Sequence, residues 1–235
     1  MQSVFKRKEI KYILTKAQYQ SLLVELEGRM SVDKYGLQTV NNIYFDNDSF
    51  ELIRRSIEKP RYKEKMRMRV YGTPTPDSPA FFELKKKYKG IVYKRRIRAP
   101  LSDVESYYKN GIFVESSQIF REIDYVYKVK DLKPKLYLAY DRVAYYGNDD
   151  KNFRMTFDFG IRYRWHDVDI KNQGDTEYLT DEDTIVMEVK CQLVYPRWFI
   201  DFLNKNKLGK ASFSKFGRIY LKTLTTDKEK LKCSA

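Results

Sequence analysis

Thr184-Ile185-Val186-Met187-Glu188-Val189-Lys190-Cys191-Gln192 is the stretch from which the rest of the chain can be read. In an extended strand, side chains alternate between two faces. Ile185, Met187, Val189 and Cys191 then share an apolar face, and Glu188, Lys190 and Gln192 share the other. The same Glu-x-Lys spacing recurs at Glu9-Ile10-Lys11 and at Glu83-Leu84-Lys85. Three strands are thus expected to place a carboxylate and an ammonium side by side, with an apolar face behind them.

The composition agrees with a folded, strand-rich chain. Of 235 residues, 42% are hydrophobic and 15% aromatic, mostly Tyr (20) and Phe (14). That is enough for one packed domain and argues against disorder. With many Val and Ile, the aromatics favour strands. The formal charge is 46 − 32 = +14, a field that attracts polyanions: nucleic acid, anionic membrane or phosphate chains. The alternative is lysine that merely solubilises the surface, and the placement of the charge decides between the two.

Other chemistries are poorly served. The cysteines are Cys191 and Cys233 and the histidine is His166, so a zinc cluster is excluded and a disulfide is not expected. No P-loop, dinucleotide-binding glycine fingerprint or Gly-x-Ser-x-Gly elbow is present. The lone His166 reads as a surface or hydrogen-bonding residue. No stretch approaches the roughly 18 apolar residues of a membrane helix, and the expected location is cytoplasmic.

Taken in order, strands are expected at Phe5–Leu14, Thr39–Phe45, Tyr62–Tyr71, Ala80–Tyr88, Ile91–Ala99, Lys135–Tyr145 and Asn152–Ile161, besides the opening stretch and an irregular strand over Tyr163–Asp169. Helices are expected at 16–28 behind a Thr15 cap, at 50–57, through most of 101–127, from Pro196 to Asn204 and at 219–224. The fold class is α+β: an antiparallel eight-stranded β-barrel with helices packed outside. Residues 1–224 form one domain and 225–235 a charged, flexible tail.

On nearly every strand the polar face is cationic: Lys11, Arg67, Arg69, Lys85, Arg96, Arg142, Arg154 and Lys190, interspersed with Glu9, Glu83 and Glu188. An ordinary wet face carries mixed polar residues. If the strands curl, these faces converge on one axis. Like charges brought together in a low dielectric repel by several kcal/mol per close pair unless a polyanion compensates them. The expected result is a wet tunnel for a chain of phosphates, with glutamates available to Mg²⁺ or Mn²⁺. Phosphoryl transfer needs positioning, cations and metal more than a nucleophilic side chain.

At this point a family resemblance enters. Glu9-Ile10-Lys11-Tyr12, Ile43-Tyr44-Phe45-Asp46, Arg67-Met68-Arg69-Val70-Tyr71-Gly72, Glu83-Leu84-Lys85, Tyr140-Asp141-Arg142, Arg154-Met155-Thr156-Phe157-Asp158, Met187-Glu188-Val189-Lys190 and Ser214-Lys215-Phe216 follow one another as in a VTC domain. This is the polyphosphate polymerase domain of the vacuolar transporter chaperone complex and its bacterial relatives, within the triphosphate tunnel metalloenzymes that also include CYTH proteins and fungal-type RNA triphosphatases. The likeness runs from Phe5 to Leu224, and its specificity lies in the ordered set of motifs.

The resemblance implies a nucleoside triphosphate such as ATP bound in the tunnel with Mn²⁺ or Mg²⁺, its terminal phosphate passing to an inorganic polyphosphate chain. It assigns Arg67, Arg69, Lys85 and Glu188 as catalytic. Lys11, Tyr140, Arg142, Arg154, Lys190, Ser214 and Lys215 become substrate-binding and Glu188 a metal ligand; from their place on the cationic face Arg96 joins the substrate-binding set and Glu9 the metal ligands. The wider superfamily opens with Glu-x-Glu-x-Lys, whereas Arg7 stands at the first Glu position here. That favours VTC-type members over CYTH triphosphatases and leaves one carboxylate fewer for a second metal. The sensing domain and membrane anchor of the eukaryotic proteins are not expected in this stretch, and a separate membrane-protein partner is compatible with it. Nucleic acid is not an expected partner, because no RNP-like motif is found. The alternatives are a triphosphatase on the same tunnel and a non-catalytic polyphosphate-binding module.

Overall fold

The computed structural model describes residues 8–89, 91–112, 117–172, 174–192 and 194–233, with side chains to 226. Arg7, Gly90 and the end of the charged tail lie outside the described residues. The chain forms two compact units, each assembled from segments distant in sequence. The first takes in the chain up to Gln38, Tyr140–Ile161 and Thr180–Phe213. The second takes in Thr39–Ala139, Arg162–Leu179 and the chain from Ser214.

The principal strands of the first unit are β1 (Lys8–Leu14), β10 (Ile185–Cys191), β8 (Arg154–Arg164) and the later part of β7 (Lys133–Gly147), hydrogen-bonded in the order β1-β10-β8-β7. A short β2 (Met30–Val32) pairs with β7. In the second unit the order is β7-β3-β4-β5-β6, with β3 (Gln38–Asp46), β4 (Tyr62–Tyr71), β5 (Pro79–Tyr88) and β6 (Ile91–Pro100). A two-residue β9 (Glu177–Tyr178) pairs with the end of β8. Wherever a register is defined, the pairing is antiparallel. The architecture is therefore the expected one: α+β, an antiparallel sheet of eight principal strands with helices covering its apolar face.

The alternation seen in the sequence explains which face is covered. Along β10, Ile185, Met187, Val189 and Cys191 are buried while Glu188 and Lys190 are partly exposed. In the first unit that apolar face packs with Tyr12, Leu14, Met155 and Phe157 beneath α1 (Lys16–Leu26) and α5 (Arg197–Lys205), which contribute Leu22, Leu26, Phe199 and Phe202. In the second unit Met66, Met68, Val70, Phe82 and Leu84 pack against α3 (Leu101–Asn110) and α4 (Gln118–Val129) through Val104, Tyr107, Phe120 and Ile123. Each such side chain contributes about 1.5–3 kcal/mol on burial. Among the described residues no helix is long and apolar enough to cross a membrane.

Local signals mostly set the ends of the elements. The Thr15 side chain accepts from the Gln18 backbone N–H and the Gln18 side chain accepts from the Thr15 N–H, a reciprocal capping box at the start of α1. Asp46 anchors α2 (Glu51–Glu58): its carboxylate accepts from the backbone N–H groups of Leu52 and Ile53, both at 2.9 Å. Gly111 closes α3 in the left-handed region (φ 73°) and donates to the Tyr107 carbonyl. Two expectations change. Tyr163–Asp169 forms no separate strand, because β8 runs on to Arg164, whose guanidinium then donates to the Asp167, Asp169 and Asn172 carbonyls and holds the following chain as a loop. The last helix, α6, spans Lys215–Cys233, longer at both ends than the 219–224 expected from apolar spacing. Ser214 accepts from the Gly217 N–H at its start.

Candidate functional site

A cluster of cations around a carboxylate lies on the polar face of each unit. In the first, antiparallel register brings Lys11 of β1, Glu188 of β10 and Thr156 of β8 into one row, and Glu9, Lys190 and Arg154 into the next. The Glu-x-Lys pairs of β1 and β10 run in opposite directions, so each glutamate faces the other strand's lysine. Lys190 Nζ lies 2.9 Å from one Glu188 oxygen and Lys11 Nζ 3.7 Å from the other. Lys190 also reaches Glu9 at 3.9 Å. Lys11 is steadied by donating to the Phe213 carbonyl at 2.9 Å. Arg142 of β7 donates in a two-pronged fork to Asp158 of β8, at 2.5 and 2.8 Å, with its guanidinium over the Tyr140 ring.

Electrostatics keeps this cluster charged. Burial alone raises the pKa of Glu188, but the charges of Lys190, Lys11 and Arg142 outweigh it and hold the carboxyl well below the usual range. Burial likewise works against the Arg142 charge, but Tyr140, Asp158 and Glu188 overcome it and raise its pKa. Beside Glu188 in the row, the Thr156 hydroxyl oxygen is buried without a hydrogen-bond partner. A native protein seldom leaves such an atom orphaned unless something else supplies the partner. Glu188, Glu9 and that hydroxyl are hard oxygen donors suited to a divalent ion that completes its shell with phosphate oxygens. Among the described residues no group of three or more His, Cys, Asp or Glu side chains could hold a metal without such help.

In the second unit the corresponding row is Tyr44, Arg67, Glu83 and Arg96, across β3, β4, β5 and β6. Glu83 is 2% exposed. One of its oxygens accepts from Arg67 Nε at 2.7 Å; the other accepts from Arg96 Nε at 2.5 Å and meets Lys94 Nζ at 2.8 Å. Burial opposes its ionisation, yet Arg67, Lys94 and Arg69 hold its pKa down to about 2. The Tyr44 phenol, despite burial, is pulled down to about 8 by Arg67, Lys65 and Arg69. Arg69 is buried, donating to Asn42 at 2.9 Å and stacking over Tyr71. Lys65 donates to the Ser214 hydroxyl at 2.9 Å, which ties β4 to the start of α6.

The residues singled out from the sequence fall into these two sets. Glu9, Lys11, Tyr140, Arg142, Arg154, Glu188 and Lys190 belong to the first unit, and Arg67, Arg69, Lys85, Arg96, Ser214 and Lys215 to the second. Lys85 and Arg154 are exposed, Lys85 beside Lys65 and Lys94 in its row and Arg154 beside Lys190. Lys215 opens α6. Arg95 of β6 pairs with Glu122 of α4 at 2.7 Å. Sequence reasoning did not single out Thr156, Asp158, Tyr44, Lys65 or Lys94. Their parity places each on a polar face, but only cross-strand register shows which acid or cation each one meets.

The comparisons with known proteins fit this geometry. The family model described as VTC domain matches residues 6–223. This chain belongs to the VTC domain family. Subunit 4 of the vacuolar transporter chaperone complex of Schizosaccharomyces pombe is 22% identical over 221 residues, covering 75% of this chain. The chain spans only 30% of that relative's length. Among solved structures, a candidate adenylate cyclase from Bacillus halodurans aligns with a TM-score of 0.54 at 13% identity, over 88% of this chain and 95% of its own. A candidate adenylyl cyclase from Hippeastrum, whose dominant activity is that of a triphosphatase, aligns with a TM-score of 0.53 at 15% identity, over 88% and 92%. These likenesses are of fold.

Proposed function

We propose that this VTC domain is a metal-dependent polyphosphate polymerase. The observation that carries the reading is Glu188: a carboxylate held ionised between Lys11 and Lys190, beside the partnerless Thr156 hydroxyl, within a sheet face of cations. In the proposed reaction a terminal oxygen of polyphosphate attacks the γ-phosphorus of ATP or another nucleoside triphosphate. A new P–O–P bond forms, the bond to the β-phosphate oxygen breaks, and the nucleoside diphosphate leaves.

Glu188, with Glu9, would hold Mn²⁺ or Mg²⁺, and the ion would supply charge neutralisation at the phosphate oxygens. The chain's own groups bind and orient. Lys11, Lys190, Arg142, Arg154, Arg67, Arg69, Lys85, Arg96 and Lys215 are assigned to phosphate oxygens as charge-assisted donors. Ser214 and Tyr140 support them. The relative's name places it in a complex with other subunits, and a separate membrane-protein partner extends that to this chain. Incubation with ATP and Mn²⁺ is expected to yield long polyphosphate on a gel. Orthophosphate alone would instead make the domain a triphosphatase, and binding without turnover a polyphosphate-binding module.

A further inference from the structure

We propose that Glu83 is a positioning residue: it binds neither phosphate nor metal, and sets the spacing and direction of the cations that do. The inference rests on the phosphate-binding role proposed above. The Glu83 side chain is 2% exposed, whereas its partners Arg67, Arg96 and Lys94 are 25%, 37% and 43% exposed. The acid is the floor of the cluster and the cations are its surface. Both carboxylate oxygens are engaged by cations, one by Arg67 and the other by Arg96 and Lys94.

The geometry of the bonds matters more than their number. Arg67 engages the acid through Nε and Arg96 through both Nε and Nη2, which fixes the plane of each guanidinium. The neighbours complete the brace. Arg96 stacks over the Phe81 ring at 4.6 Å, and Arg67 Nη1 points at the Tyr44 hydroxyl at 3.4 Å. One acid beneath three cations leaves the cluster net positive, so it can hold its shape and still attract an anion. Without Glu83, mutual repulsion would spread the three and each would have to be gathered again on binding.

This makes the sign of one measurement diagnostic. Glu83→Gln adds a unit of positive charge, so long-range attraction alone predicts tighter polyanion binding. Positioning predicts weaker binding, by about 10–100-fold on the scale of hydrogen bonds to charged groups. Calorimetric titration of the full chain with inorganic tripolyphosphate at fixed salt reads the difference. Arg96→Ala should cost much less in the Glu83→Gln background than in the wild type, a coupling that a merely structural role would not produce. Glu83→Asp keeps the charge but shortens the reach, and should also weaken binding. It serves if Glu83→Gln fails to fold. Affinity equal to or above wild type in either folded variant, or additive losses in the cycle, overturns the positioning role alone. Failure of the wild-type chain to bind tripolyphosphate overturns the phosphate-binding reading along with it.

Discussion

Glu83 and Glu188 each sit mid-row on a strand, flanked across the sheet by two others, and their neighbours make them different groups. Glu83 has a guanidinium on both sides. Glu188 has a lysine on one side and the partnerless Thr156 hydroxyl on the other, and takes its second lysine from its own strand. Rigid forks saturate a carboxylate in fixed directions, whereas flexible ammonium groups can move aside for another ligand. The first arrangement suits an acid that organises cations. The second suits an acid that exchanges its partners for a metal ion or a phosphate-bound one.

The sharpest way to break this contrast is to neutralise each acid in turn. Glu188→Gln is expected to lower turnover of ATP by about 10³-fold or more, the scale of losing a metal-holding group, while tripolyphosphate affinity stays level or rises. Glu83→Gln should instead act mainly on affinity. Equal affinity losses in both variants, by calorimetry and steady-state kinetics, would erase the distinction. The next largest effect concerns the arginines. Arg142→Ala deprives Asp158, 1% exposed, of its fork and should cost on the order of 3 kcal/mol in urea unfolding. Arg67→Ala should cost about half as much, since Glu83 keeps Arg96 and Lys94.

Acid titration separates the two carboxylates next. Both have folded pKa values below the unfolded one, so each contributes stability that is fully present above about pH 4.5 and is lost as pH falls through the folded value. For Glu83 the window runs from 4.5 to about 2, a contribution of at most about 3 kcal/mol. Unfolding midpoints measured from pH 6 to pH 2 should therefore fall less steeply in Glu83→Gln than in wild type. Glu188 is likewise held well below the usual carboxylate range, so its contribution is also lost as pH falls. The smallest effects belong to the exposed cations. Lys85→Ala and Arg154→Ala should leave stability within about 0.5 kcal/mol while weakening tripolyphosphate binding. A large stability change in either would mean that it is a structural ion-pair partner.

Much of this was legible in the residues. Alternation along Tyr62–Tyr71 and Ile185–Cys191 foretold the buried apolar faces, although Arg69 and Val186, of the other parity, are buried as well, and the Glu-x-Lys repeats pointed to Glu188 and Lys11. Thr156 was not singled out, since a threonine on a polar face is ordinary until its hydroxyl is seen buried without a partner. Glu83 was grouped with the possible metal ligands, because composition along β5 does not reveal that Arg67 and Arg96 occupy it from both sides. The strands β2 and β9 were missed because two or three residues carry too little pattern.

What the sequence alone determined is the periodic part: strand parity, the cationic sign of the polar faces and the helix start set by Thr15. These depend on neighbours within a few residues, where backbone geometry fixes direction. Tertiary structure decided the pairings, such as Lys11 with the Phe213 carbonyl, 202 residues away, and Arg67 and Arg96 on one buried acid. A charge on a strand has many possible partners in the chain. Only antiparallel register, set by burial of the opposite apolar face, selects the one it meets.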